Sequence, residues 1–455
     1  MIESLPIQLA ARLALDSISY SNPLPPWSDS VMQNYGEREG AIRQRISKYL
    51  TGEAPLAPFK VAVPKKDGEK KVWKIPSVND QIIIQVCVSA IADKIQRALD
   101  YRHTWSYRFN TNPDHIQLTE SQVSLWKQFQ DETDRRCRDR AGCLLQIDLE
   151  NAFQSIDREK FFAFLEDVAP GNIAVSLLRH LLPYFSAEDE GLPLINDSVF
   201  FMGNAYLYKV DQIVAKHTSN FIRFVDDYRI FGGATDLLES VLNDIDKDLA
   251  SLGFKIKKSK VKLGSAEEYL DAVSNGKYAE TKIVDGYISA VALEDVTAPD
   301  LLLKLITRAI ESPDDLLTEG FGRLSLGAIR RIRLNHAVVE TKNYPGSPLG
   351  EYQNMLSTNE SVIQRALGLL ENYIKSPDEN WRSVWLINLM QDVSGEARAK
   401  VNEMLQFIST NSGSELVRLC TRKALAGLEP TLTSKDVEDC HDLDYLGWGR
   451  RLWAE

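Results

Sequence analysis

Cysteine and histidine are scarce in this chain: five of one and six of the other in 455 residues. Cys87, Cys137, Cys143, Cys420 and Cys440 are odd in number and lack paired metal-type spacing, so neither a disulfide framework nor a zinc module is expected. Reduced, mostly buried thiols are the expectation. Long apolar runs are missing too, since nothing approaches the ~18 residues of a membrane span, and Glu3 stands where a secretory leader carries positive charge. A cytoplasmic protein with no membrane partner is therefore expected. Positive charge is also short. A net charge of −11 excludes a uniformly basic surface, because phosphate binding needs cations.

What is present is enough for a folded chain of two or three domains, with 44% hydrophobic residues to form cores. The cations that do occur are gathered. Six lysines lie between Lys60 and Lys74 against Asp67 and Glu69, and "KIKKSKVK" (Lys255 to Lys262) holds five lysines and no acid. Two basic islands in an acidic chain suggest local phosphate contact, although a charge run is also the ordinary dress of a solvated face.

The first fifty residues read as two helices around "SYSNPLPPWSD", the second spanning about Ser30 to Leu50. "FKVAVPKKDGEKKVWKIP" alternates on both sides of Asp67-Gly68 and predicts a hairpin. A helix over "VNDQIIIQVCVSAIADKIQRALD" follows, then a buried strand "AGCLLQID" ending at Asp148, then the helical "DREKFFAFLEDV". From about Pro299 only helices are expected. "SVIQRALGLLENYI" sets Val362, Ile363, Ala366, Leu367, Leu370, Tyr373 and Ile374 on one face, and "NWRSVWLINLM" and "ELVRLCTRKALAGL" behave alike. No strict repeat period is visible, so an irregular, helical-repeat-like stack of hairpins is expected.

In "NFIRFVDDYRIFGG" two adjacent aspartates, Asp226 and Asp227, sit between short apolar runs at the tip of a tight hairpin. Asp-Asp alone is good turn chemistry. Together with Asp148 at a strand end, the pair suggests carboxylates converging at one sheet edge, the oxygen-rich setting a hard cation such as Mg²⁺ or Mn²⁺ prefers. Two such ions can activate an attacking hydroxyl and hold a leaving pyrophosphate.

At these residues the chain resembles a reverse transcriptase. "QIDLENAFQSID" is similar to the first palm motif of that family, "RFVDDYRIF" to its aromatic-x-Asp-Asp motif and "LGFKIKKSK" to the motif that follows. Upstream, "PKKDGEKKVWKIP" resembles the fingers hairpin and "TWSYRF" a segment usually written Ser-Tyr-Gly-x-Arg, all in family order between about Lys60 and Gly264. The resemblance implies an α+β, right-hand polymerase with fingers and palm followed by an all-α C-terminal domain. The expected division is an N-terminal helical segment (1–55), fingers and palm (56–295) and a helical domain (296–455). Asp148, Asp226 and Asp227 would be the catalytic and metal-binding residues. Lys65, Lys71, Phe153, Asn204 and Lys260 would be nucleotide-binding, with Phe153 closing off the sugar 2′ side.

Two departures stand out. The arginine that usually clamps the triphosphate is Lys71, which keeps the charge but loses the bidentate fork. In "GLPLINDSVFFMGNAYL" the residues Gly191, Pro193, Asn204 and Leu207 match the family, but Leu194 and Ile195 replace Gln-Gly, which puts conventional template reading in doubt. A compact polymerase fused to helices is similar to the bacterial abortive-infection, AbiK-like and other defence-associated reverse transcriptases. That membership implies antiphage defence and DNA synthesis from deoxynucleotides, untemplated or templated by a partner noncoding RNA. It also implies priming on a protein hydroxyl with covalently attached DNA, a partner defence protein and a homo-oligomer. The competing readings are a retron- or intron-like polymerase, disfavoured by the acidic "SKDVEDCHDLDYLG", and a non-catalytic scaffold, disfavoured by the three retained aspartates.

Overall fold

The computed structural model describes residues 5–7, 35–55, 57–64, 70–97, 99, 101–110, 118–120, 122–139, 142–186, 191–274, 299–313, 348–376 and 379–428. The first expected helix, the tip of the first hairpin with Lys65, and the acidic segment Ser434 to Gly447 lie outside them. The order begins with α1 (Tyr35–Leu50), β1 (Phe59–Pro64), β2 (Lys70–Ile75), α2 (Val78–Arg97), α3 (Gln122–Asp139) and β3 (Cys143–Asp148). It continues through α4 (Arg158–Val168), α5 (Ile173–Phe185), α6 (Asp197–Tyr206), α7 (Tyr208–His217), β4 (Phe221–Phe224), β5 (Asp227–Gly232), α8 (Thr235–Leu249), β6 (Lys262–Ser265) and α9 (Ala266–Ser274). Among the described residues six further helices follow: α10 (Pro299–Glu311), α11 (Pro348–Thr358), α12 (Glu360–Tyr373), α13 (Asn380–Met390), α14 (Ala397–Asn411) and α15 (Glu415–Leu428).

These elements form two units that interleave along the chain. One comprises residues 1–16, 36–56 and 80–285, the other 17–35, 57–79 and 286–455. The β1–β2 hairpin therefore groups with the C-terminal helices.

The first unit is built on an antiparallel sheet of order β4-β5-β3-β6. Alternation in β3 sends Cys143, Leu145 and Ile147 to one face, where Tyr228 and Ile230 of β5 are also fully buried. Leu144, Gln146 and Asp148 face the other way. There Leu144, Ile222 and Phe231 pack on Phe129 and Cys137 of α3 and Ala266 of α9. Leu144, Ile222, Phe231 and Phe129 each contribute about 1.5–3 kcal/mol by leaving water. The helices start where short polar residues stop the strand or loop: Asp157, Asn172 and Asn196 accept N–H bonds from Lys160, Ala174 and Val199.

In the second unit β1 pairs with β2 from Phe59↔Ile75 to Pro64↔Lys70. Val63, Trp73 and Ile75 are buried, and β1 lies against α13. Every residue of α13 from Trp381 to Met390 is buried, which marks it as the central helix of this unit. The α13 helix is packed by α12 and α15, and α14 packs on α15. The predicted stripe on α12 is buried at Val362, Ile363, Ala366, Leu367 and Leu370, while Tyr373 and Ile374 at its end are half-exposed. Cys87, Cys137, Cys143 and Cys420 are buried free thiols, and Cys440 lies outside the described residues.

Candidate active site

The β4–β5 hairpin closes with only Val225 and Asp226 between the paired Phe224 and Asp227. Such a two-residue turn needs positive φ at its first central position, a slot glycine usually fills. Val225 fills it instead at φ 55, a conformation that costs a β-branched residue on the order of 1–3 kcal/mol. The register then sets Asp227 directly opposite Asp148. The Leu149 N–H donates to the Asp226 carbonyl at 3.1 Å, which ties the strand end to the turn. The three expected carboxylates, from two strands and a turn, thus share one sheet edge.

Their electrostatics are unfavourable as they stand. Burial, then the charges of Asp148 and Asp227, raise the Asp226 carboxyl to about 7, with Lys260 pulling the other way. Asp227 is raised to about 6 by burial, against the pull of Arg229 and with a push from Asp148. Two cations are already at hand. The Lys260 ammonium donates to Asp148 Oδ2 at 2.7 Å, and Arg229, whose guanidinium lies over the Phe129 ring, donates to Asp227 Oδ1.

Among the described residues no group of three or more His, Cys, Asp or Glu side chains is gathered as a ready metal cage. The donor set nevertheless fits a hard cation: it is all oxygen, it is crowded enough to raise its own acids, and it already attracts an ammonium. Asp148 and Asp226 are the candidate ligands. Asp227, paired with Arg229, is less free.

Phe153 is buried in a seat made for it. Its ring stands edge-on to Phe200 at 5.4 Å, and a Cβ on Gly203 would fall 2.2 Å from its Cε1. The Phe153 carbonyl accepts from the Leu192 N–H at 2.8 Å. Just before it, Gly191 at φ +75 passes so close to Gln154 that a Cβ would lie 2.4 Å from the Gln154 carbonyl oxygen. Leu194 and Ile195 are both buried, and Asn196 caps α6 through Oδ1 while its buried Nδ2 has no hydrogen-bond partner.

Asn204, expected to touch nucleotide, is corrected by its surroundings. It is fully buried, Oδ1 accepts from Ser106 and Arg223, and Nδ2 donates to the Ser106 carbonyl. The amide braces the protein interior and offers nothing to a ligand. Lys71 sits on β2 opposite Val63 in the second unit, and Lys65 lies outside the described residues.

Several residues at the site escaped the sequence reading, and two had a visible signal. Arg223 occupies a core-facing parity between Phe221 and the turn, and Asp211 lies on the apolar stripe of α7 with Leu207, Val210 and Val214. A charge on a core stripe calls for a buried partner. These two find each other: Arg223 Nε donates to Asp211 Oδ1 at 2.6 Å and Nη2 to Oδ2 at 2.8 Å, and the Tyr228 hydroxyl adds a bond at 2.8 Å. Burial alone would pull the Arg223 pKa down, but Asp211 leaves it raised.

Residues 63–278 match the family described as "Reverse transcriptase (RNA-dependent DNA polymerase)". No curated protein matches the chain in sequence. Among solved structures, telomerase from Candida albicans with the TWJ fragment of telomeric RNA is 11% identical at a TM-score of 0.32, covering 86% of this chain and 71% of that one. The apo telomerase of Candida tropicalis is 9% identical at 0.31, covering 92% and 74%. Likenesses that low carry no argument about architecture. The family match does: the chain carries a reverse transcriptase domain, followed by helices, and is an enzyme of the RNA-directed DNA polymerase type, a nucleotidyltransferase.

Proposed function

We propose that this reverse transcriptase domain is an active DNA polymerase of bacterial antiphage defence, of the abortive-infection, AbiK-like kind, working in the cytoplasm. The observation that carries the polymerase reading is the meeting of Asp148 and Asp226 at one sheet edge, with Lys260 on Asp148. In this reading a primer 3′ hydroxyl attacks the α-phosphorus of a deoxynucleotide and pyrophosphate leaves. Bound Mg²⁺ or Mn²⁺ at Asp148 and Asp226 would supply Lewis-acid activation and charge neutralisation there. Lys260 brings a further cation to the edge where triphosphate charge arrives. Phe153 occupies the space a ribose 2′ hydroxyl would need, and Lys71, with Lys65, would contact the triphosphate from the β1–β2 hairpin. The functional division follows the motifs: fingers and palm within 56–295, flanked by helical segments at 1–55 and 296–455.

The product is the finer part of the proposal. Leu194 and Ile195 put buried apolar side chains where the family writes Gln-Gly, so no side-chain amide is offered beside the templating position. Rejecting a mismatch requires polar groups that a wrong pair leaves unsatisfied, which an apolar wall cannot supply. Product sequence is then set by the nucleotide the pocket prefers, giving untemplated or strongly biased DNA begun on a protein hydroxyl. A partner noncoding RNA or defence protein and self-association through the helical unit complete the proposal, the last read as mass in light scattering. The deciding experiment offers all four deoxynucleotides with unrelated primed RNA and DNA templates, then digests the protein and sequences any DNA, free or attached. The same composition from every reaction supports the reading. Faithful complements of each template would overturn its untemplated part, and no Mg²⁺- or Mn²⁺-dependent incorporation at all would overturn the whole.

A further inference from the structure

The turn that carries Asp226 is held against its own preference, and what holds it can be traced atom by atom. Val225 is β-branched and sits at φ 55, where a Cβ is crowded by the backbone. Both polar groups of its main chain are taken by side chains. The Val225 N–H donates to Ser106 Oγ at 2.8 Å, and its carbonyl accepts from Arg223 Nη1 at 2.9 Å.

Those two side chains belong to one buried network. Ser106 is fully buried, and its hydroxyl has one proton to give and lone pairs to accept with. It gives the proton to Asn204 Oδ1 at 2.9 Å and accepts from Val225. Arg223 Nη1 reaches the same Asn204 oxygen at 2.6 Å, and its remaining nitrogens grip Asp211 on α7 and the Thr104 hydroxyl at 3.1 Å. Main-chain bonds fasten the segment that carries Ser106 alongside β4: Trp105 N–H to the Arg223 carbonyl at 2.8 Å, and Arg223 N–H to the His103 carbonyl at 2.7 Å. Helices α6 and α7, the 104–106 segment and β4 therefore converge on a single residue, the one before Asp226, through the peptide on either side of it.

We propose that Ser106 and Arg223 are positioning residues that clamp Val225 from both sides and impose the left-handed backbone that aims the Asp226 carboxylate at Asp148. The proposal rests on the reading of Asp226 as a metal-binding group. If the clamp is what imposes the conformation, a residue that adopts it freely makes the clamp dispensable. Glycine at position 225 is that residue. A hydroxyl that served only general stability would gain nothing from it.

The test uses the full chain as parent, Ser106→Ala, Val225→Gly and the Ser106→Ala/Val225→Gly pair, with three readouts: deoxynucleotide incorporation, Mn²⁺ binding followed by electron paramagnetic resonance on the protein alone, and hydrogen exchange at residue 225. Ser106→Ala is expected to lower turnover by roughly tenfold to a hundredfold, the scale of a small misplacement of a reacting group, with the nucleotide KM held. It should also weaken Mn²⁺ binding and unprotect the Val225 amide, and Val225→Gly should restore part of the turnover and of the Mn²⁺ affinity. Unchanged turnover and Mn²⁺ affinity in Ser106→Ala, or a loss that Val225→Gly does not relieve, would overturn the proposal. Should Ser106→Ala fail to fold, Ser106→Cys keeps the size with a weaker acceptor, and the same outcomes decide the matter. A parent that incorporates no nucleotide would count against the polymerase reading, while the Mn²⁺ and exchange readouts still judge the clamp.

Discussion

The chain builds two antiparallel hairpins from the same local rule and uses them differently. Strands β1 and β2 alternate over six paired positions and are anchored from one side, by Val63, Trp73 and Ile75 in the core of the helical unit. Strands β4 and β5 pair over four positions and turn in two residues. The tip of that turn is fastened by Ser106 and Arg223, which are themselves fastened by Asn204 and Asp211. In the described residues, β1–β2 is held through its strands, and β4–β5 is held through its tip as well. A carboxylate that must keep a fixed place relative to Asp148 needs the second arrangement, because strand packing alone leaves a turn free to move. The two hairpins also differ in charge: lysines on β1–β2, carboxylates at the tip of β4–β5.

The comparison breaks first at the carboxylate itself. Asp226→Ala is expected to reduce nucleotide incorporation to background while circular dichroism and melting stay near the parent, since the residue's burial is unfavourable to begin with. Retained Mg²⁺-dependent synthesis would remove Asp226 from the site. Next in size is the anchor beneath the tip. Asp211→Ala leaves the Arg223 guanidinium buried without its counter-ion, which should destabilise the first unit by about 3–5 kcal/mol in a denaturant titration. A loss near zero would mean that the buried pair does not hold the turn.

Smaller effects should separate selectivity from placement. Phe153→Ala should relax the preference for deoxynucleotides over ribonucleotides by about tenfold or more. Gly203→Ala, which pushes on the same ring, should move the preference in the same direction by less. A parent-like ratio of the two kcat/KM values in Phe153→Ala would end the gate assignment. The smallest change is expected on the other hairpin: Lys71→Ala should raise the nucleotide KM modestly at constant kcat, because a single charge contact to the triphosphate binds the ground and transition states alike. If KM does not move, the lysine hairpin is not a triphosphate clamp and the contrast between the two hairpins is one of stability alone.

Much of this was legible in the linear chain because it depends on neighbours a few positions apart. Period-2 alternation marked the β1–β2 strands, short apolar runs marked β3 and the β4–β5 hairpin, and the 3.6 period marked the buried stripe of α12 and the helical texture after Pro299. The order of the short motifs, with Asp148 first and Asp226-Asp227 later, was enough to mark three carboxylates that the fold brings to one edge, with Lys260 on Asp148. The family match over residues 63–278 covers that same stretch.

What the chain could not disclose by itself concerns pairs remote in sequence. Ser106 and Val225 are 119 positions apart, and Ser106 and Asn204 are 98 apart. Motif spacing put Asn204 on a nucleotide; packing turned it inward, because a buried Arg223 needed every acceptor within reach. Local periodicity and motif order, which act through covalent neighbours, determined the elements and the candidate reacting groups. The aim of those groups, the interior role of Asn204 and the grouping of β1–β2 with the C-terminal helices were decided only in three dimensions, where burying a charge or straining a turn requires partners that no short window of sequence contains.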